Sequence, residues 1–223
     1  MHRKKQDVTE EIYTTVVPVT LCTDEIQIDR IMDLCGIPRA LTYNKLGSLF
    51  GWGLDWKKAD PIVRTTLTPI EIGLPAKLWE WSVNDTMKAI LSAQEAAKTY
   101  LIRAIYLRTS DRLERVRLLD LMKHNPTGDN WLHRKFRQLY QRGHTDVRNQ
   151  IVDRGNGYTC KRLGRNTVKL EVAGLEKGQR VTFNLACRQI IAGQIRLIRN
   201  VQGKTRGSLH QEKNRKISST KPN

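Results

Sequence analysis

Residues 12–21 read IYTTVVPVTL, and seven of the ten are Ile, Val or Thr. Branching at Cβ restricts χ1 and suits the pleated backbone, so this stretch is expected to be a β-strand. Pro18 cannot donate to a ladder, which places the strand at a sheet edge. The fold turns on the distance to its partners, because more than a hundred residues of helical pattern separate this strand from the next.

From Asp24 the period becomes helical, with Ile28, Ile31, Met32 and Cys35 on one face and Gly36 and Pro38 as the stop. A shorter helical segment covers 39–50. Residues 51–75 hold Pro61, Pro69 and Pro75 and read as irregular. The longest helix is expected over 78–107, where Val83, Met87, Ile90, Ala97, Leu101 and Ile105 form an apolar stripe. A second begins near Ser110 or Asp111, with Glu114 placed for a capping box, and stops before Asn125 and Pro126. A third, capped by Asp129 or Asn130, runs from Trp131 to about Arg142.

Past Gly143 the period drops to two. Segments 158–163, 167–172, 180–185 and 194–198 alternate between glycine-bearing turns, as in Val168, Leu170 and Val172 opposite Lys169 and Glu171. Beyond Asn200 the composition falls to Gly, Ser, Lys, Arg and Asn, the pattern of a flexible tail. The expected fold is α+β: a small antiparallel β-barrel or sheet interrupted by a helical insertion. Residues 1–23 supply its first strand, 24–143 the insertion, 144–199 the remaining strands and 200–223 a basic tail.

The chain carries 39 Lys+Arg against 22 Asp+Glu, a formal charge of +17 on 223 residues. Such an excess repels itself in a compact state, and a polyanion offsets it; nucleic acid is the expected one. The charge is also concentrated. Residues 98–165 hold 16 basic and 6 acidic side chains, and 200–223 hold 6 against Glu212 alone. No apolar run approaches the roughly 18–20 residues that cross a bilayer, so no membrane association is expected. Acidic residues and Pro18 interrupt the apolar N-terminal stretch, which argues against an export signal. Cys22, Cys35, Cys160 and Cys187 are far apart and read as reduced thiols of a cytoplasmic protein.

The candidate phosphate contacts lie along the basic helices: Arg103, Arg108, Arg112 and Arg115, then Arg134, Lys135, Arg137 and Arg142. Arg117 and Lys123 lie among them. The alternative is a solvated face with intrahelical pairs such as Asp111–Arg115, but acids are too few to pair most of these cations. Arg154, Lys161, Arg162 and Arg165 flank the hairpin glycines and are placed to touch a sugar–phosphate backbone. Among the tryptophans, which are more commonly core, Trp52 between two glycines is the best candidate for base stacking. Gly203-Lys204-Thr205 lacks the rest of a phosphate-binding loop. His124, His133 and His144 have no neighbouring ligands, and no paired carboxylates or nucleophile–base set stands out, so no metal, cofactor or catalytic residue is expected.

Several segments together resemble the N-terminal half of transposon-encoded TnpB proteins and the related small type V CRISPR effectors. Residues 39–46, RALTYNKL, are similar to an early helix with an R-x(3)-YN-x-L pattern. Leu74-Pro75 before the long helix is similar to an LPS segment, and 167–185 with 193–198 resemble wedge strands. The resemblance spans most of residues 12–199. It implies a wedge-like β-domain carrying a recognition insertion that grips a guide RNA and its heteroduplex with DNA. The family's G-[IV]-D-x-G strand, its later acidic residues and its four-cysteine finger have no counterpart in these 223 residues. The resemblance therefore implies a nuclease-lacking part, with structured RNA and DNA as partners and a companion nuclease chain as a further one. A freestanding RNA-binding protein is the alternative within the binding class. From another class comes a protein-interaction or assembly factor with a basic tail.

Overall fold

The computed structural model describes residues 11–48, 51, 53–140, 150–154, 157–188, 193–199 and 205–213. The chain divides into two units, Met1–Asp33 with Asn149–Asn223 and Leu34–Arg148. The fold is α+β: an antiparallel sheet whose first strand and remaining strands are separated in sequence by a block of helices.

In the first unit, β1 (Glu11–Cys22) is succeeded after the helices by β2 (Gln150–Arg154), β3 (Tyr158–Gly164), β4 (Thr167–Ala173), β5 (Arg180–Leu185), β6 (Gln194–Arg199) and β7 (Thr205–Lys213). Their spatial order is β2-β6-β7-β1-β5-β4-β3. Period-two burial carries the core: Val168, Leu170 and Val172 of β4 are buried with Val181, Phe183 and Leu185 of β5 and Ile195 and Leu197 of β6. Lys169 and Glu171 point the other way and pair at 2.5 Å.

The two terminal strands of this order, β2 and β3, are neighbours in sequence. The step from Arg154 to Tyr158 reaches at most about 14 Å, so the sheet must curl to bring its ends together. One bond marks the curl: the Tyr158 hydroxyl at the start of β3 donates to the Gly193 carbonyl just before β6 at 2.8 Å. A Cβ on Gly157 would collide with the Asp153 carboxylate, so any other residue at this tight step must push that side chain aside. No ladder joins β2 to β3 among the described residues, and the sheet is curled but not a closed barrel.

Three expectations are corrected here. β1 is central in the sheet, not at its edge. It pairs with β7 over Glu11 to Pro18 and with β5 from Val19 to Cys22, with a register shift between Val19 and Leu21. Pro18 thus sits where the strand changes partner, a position that tolerates a missing donor. The expected tail is also not uniformly a tail, because Thr205–Lys213 forms β7 between β6 and β1. Its polar sequence gave no alternation to read, yet a strand paired on both sides has its backbone groups satisfied whatever its side chains. Residues 200–204 and 214–223 lie outside the described residues. Finally, α1 (Glu25–Leu46) runs unbroken through Gly36 and Pro38. Ile28, Ile31, Met32 and Cys35 before the proline and Arg39, Thr42, Tyr43 and Leu46 after it are all buried at helical spacing. Packing on both sides outweighs the loss of one helical bond at the proline, about 3 kcal/mol in an exposed helix.

In the second unit, the irregular region contains one short helix, α2 (Trp56–Arg64), begun by Asp55, whose carboxylate accepts from Lys58 N–H at 2.9 Å. Gly53 before it has φ +68°, a value that favours glycine. Then come α3 (Ala76–Arg108), α4 (Arg112–His124) and α5 (Asn130–Leu139). Trp79 of α3 is fully buried and donates its indole N–H to Asp60 at 2.8 Å, which makes it a core residue.

Candidate nucleic-acid interface

The C-terminal half of α3 and helices α4 and α5 share one apolar cluster: Ala97, Leu101 and Ile105, Leu118 and Met122, Leu132 and Phe136. In each helix these residues recur every four positions, so the remaining positions are pushed outward, and the arginines occupy those. Leu132 and Phe136 face the core, which turns Arg134 and Arg137 of α5 to solvent about 60° apart. On α4, Leu118 and Met122 likewise leave Arg112 exposed and Arg115 half-buried beside the core edge.

The caps decide where the acids go. Asp111 begins α4 by accepting from Leu113 N–H at 3.0 Å. The reciprocal half of the expected capping box does not form. The Asp111 N–H donates to the Thr109 hydroxyl at 3.1 Å, while Glu114 accepts two bonds from Arg117 at 2.7 and 2.9 Å. Asp129 begins α5 by accepting from Leu132 N–H at 2.9 Å and also accepts from Arg117 at 3.0 Å. Arg117's hydrogen bond holds the Glu114 carboxyl below its usual range. The Leu132 N–H, with Arg117 second, does the same for Asp129. Asp120 faces His124 at 3.7 Å. Asp111, Glu114 and Asp129 are thereby engaged locally.

Arg115 makes other contacts than the Asp111–Arg115 pair of the solvated-face alternative. Arg115 donates Nε to the Thr109 carbonyl at 2.7 Å and lies over the Tyr106 ring, 4.9 Å from its centroid. Arg108 lies over the Trp131 ring at 4.3 Å. Arg134 donates to the Asn130 carbonyl at 3.3 Å, and Lys135 meets Gln138 at 3.5 Å. Arg103, Arg112 and Arg137 have no acidic partner among the described residues. Arg108 and Arg115 thus lie over aromatic rings, whereas Arg117 is held by carboxylates.

A second basic group lies in the first unit, at the β3–β4 hairpin. Lys161, Arg162 and Arg165 are exposed there, and Arg162 Nη2 donates to the Arg188 carbonyl at 2.5 Å. Arg154 is exposed at the end of β2. Trp52 and Arg142 lie outside the described residues. Tyr100 and Tyr106, both exposed on α3, were not singled out in the sequence. Their spacing of three from Arg103 on either side is the signal that could have marked them.

Among the described residues no group of His, Cys, Asp and Glu is arranged to hold a metal ion, and no helix is long and apolar enough to cross a membrane. Neither a protein-family model nor a curated protein matches this chain, so its interface stands on its own residues and geometry.

Proposed function

We propose that this chain is a nucleic-acid-binding module whose helical unit grips the phosphate backbone of structured RNA. The single observation that carries this is the division of labour on α3, α4 and α5. Asp111 and Asp129 serve as caps, Glu114 and Asp129 hold Arg117, and Arg103, Arg112 and Arg137 are left with no carboxylate among the described residues. Cations set outward without counter-charges are neutralised by a polyanion, with release of its counterions. The exposed Lys161, Arg162 and Arg165 add a second contact surface on the sheet unit.

Within this proposal, the order of strand, helices and strands fits the recognition-plus-wedge part of TnpB-like and small type V CRISPR-like proteins. There the protein holds helical shape and base pairing with DNA supplies sequence. In that setting the protein is cytoplasmic and works with a companion nuclease chain. A freestanding RNA-binding protein would use the same arginines without preferring one RNA. The test is filter binding of structured RNA: sub-micromolar affinity at about 0.1 M salt that falls steeply as salt rises. No retention at low salt would remove the proposal.

One observation favours a second reading, an assembly factor. Leu107, Leu113 and Val116 are exposed around the α3–α4 turn, as at protein interfaces. An affinity for a folded protein partner, with RNA binding absent, would select it.

A further inference from the structure

We infer that the outward face of the C-terminal half of α3 is a stacking platform for unpaired nucleotides of RNA; this rests on the nucleic-acid proposal and narrows its ligand to single-stranded segments. Tyr100 and Tyr106 are 56% and 53% exposed on a helix whose other large side chains include the buried Leu101 and Ile105. Arg103 is three residues from each tyrosine, so it lies between them on the helix surface. The two residues are offset by about 9 Å along the axis and about 120° around it, so a strand that meets both rings crosses the helix obliquely over Arg103.

Tyr106 already supports a planar cation, because the Arg115 guanidinium sits 4.9 Å from its ring centroid. That guanidinium covers one face of the ring, and unpaired RNA bases stack on aromatic rings and on guanidinium planes alike, so the outer plane of this stacked pair can receive a base. Charge complementarity names the occupant. Asp111 and Glu114 at the start of α4 are engaged as a cap and by Arg117, while Arg103 and Arg112 have no acidic partner among the described residues. The occupant must therefore combine flat apolar faces with regularly spaced anions. An unpaired RNA strand does so, whereas a duplex hides its base faces in its own stack. An acidic amphipathic helix would meet the charges, but its aliphatic ridge has no use for two rings flanking an arginine.

The test is fluorescence anisotropy with the full chain and four labelled probes. These are a short single-stranded RNA, the blunt RNA duplex of the same sequence, the matching single-stranded DNA and poly-glutamate. Tyr100→Ala with Tyr106→Ala is expected to lower single-stranded RNA affinity about tenfold or more, with duplex affinity within about twofold. Tyr100→Phe with Tyr106→Phe keeps the rings and is expected to bind like the wild type, and circular dichroism confirms the helices in each variant. Unchanged single-strand affinity in the alanine pair, or an equal loss on both RNAs, overturns the platform. If Arg103→Ala then still weakens both RNAs, the nucleic-acid proposal survives alone. Single-stranded DNA bound as tightly, with the same tyrosine dependence, overturns the assignment to RNA. Tyrosine-dependent capture of poly-glutamate without RNA binding reassigns the face to an acidic protein, and failure of every nucleic-acid probe removes both proposals.

Discussion

Arg117 of α4 holds Asp129, the N-cap of α5, through a 3.0 Å bond from Nη2 to Oδ2. Its Nε and Nη2 also bond the two oxygens of Glu114 one turn away. One guanidinium therefore fixes the start of α5 against α4 and uses up two carboxylates that could have neutralised other arginines. Order and spare positive charge come from the same contact.

Removing the cap tests the first half of that statement. Asp129→Ala is expected to destabilise the protein by about 1 kcal/mol, and Asp129→Asn by less, because the amide oxygen still accepts from Leu132 N–H. The pH dependence is set by the sign of the shifts. Glu114 and Asp129 both have folded values below the ordinary carboxylate value of about 4. Their contribution is therefore present above that value and lost as pH falls through the depressed one. Thermal melts from neutral to acid pH should show a shallower acid loss in Arg117→Ala.

The spare charge is tested by salt. Arg103→Ala, Arg112→Ala and Arg137→Ala should each flatten the slope of log affinity against log salt by about 0.7 to 0.9. Arg117→Ala paired with Glu114→Gln, which removes the cation together with a carboxylate that it holds, should leave the slope nearly unchanged. Equal effects from all four in an RNA titration would show that internal pairing does not sort these residues.

Ending the chain before Thr205 should unfold the sheet unit. β7 pairs with β1 over residues 11–18 and with β6 over Ile195 to Arg199, so its loss strips two strands of a ladder at once. Hydrogen exchange reads the outcome directly. Protected amides on β6 in the shortened chain, with an unchanged melting temperature, would refute the place given to β7.

Tyr158 predicts an alkaline limit. Burial is the main cause that pushes its phenol up to about 12, and its hydroxyl donates to the Gly193 carbonyl. The unfolded chain ionises near 10 while the folded chain keeps its proton, so stability falls as pH rises from about 10 toward 12. Tyr158→Phe should abolish this tyrosine's part of the alkaline loss in melts across that range. It should also cost about 1 kcal/mol at neutral pH for the missing hydrogen bond.

Much of the helical unit could be read directly. The long α3, the start of α4 at Asp111 and of α5 at Asp129 depend on spacing and caps within a few residues of each other. The alternation in β4 and β5 is equally local. Which arginines keep an acidic partner could not be read this way. Arg115 lies one turn from Asp111 yet turns to the Thr109 carbonyl and the Tyr106 ring, contacts that no spacing along the chain announces.

From composition and period alone came the α+β class, the order of strand, helices and strands, and the concentration of positive charge. Tertiary structure alone decided that β1 joins two halves of a curled sheet, that a polar segment after residue 204 completes it, and that α1 crosses Pro38. Local pattern reports a residue's preference for its own neighbours along the chain. Strand order and a helix carried through a proline are set by partners many residues away, whose packing outweighs that preference.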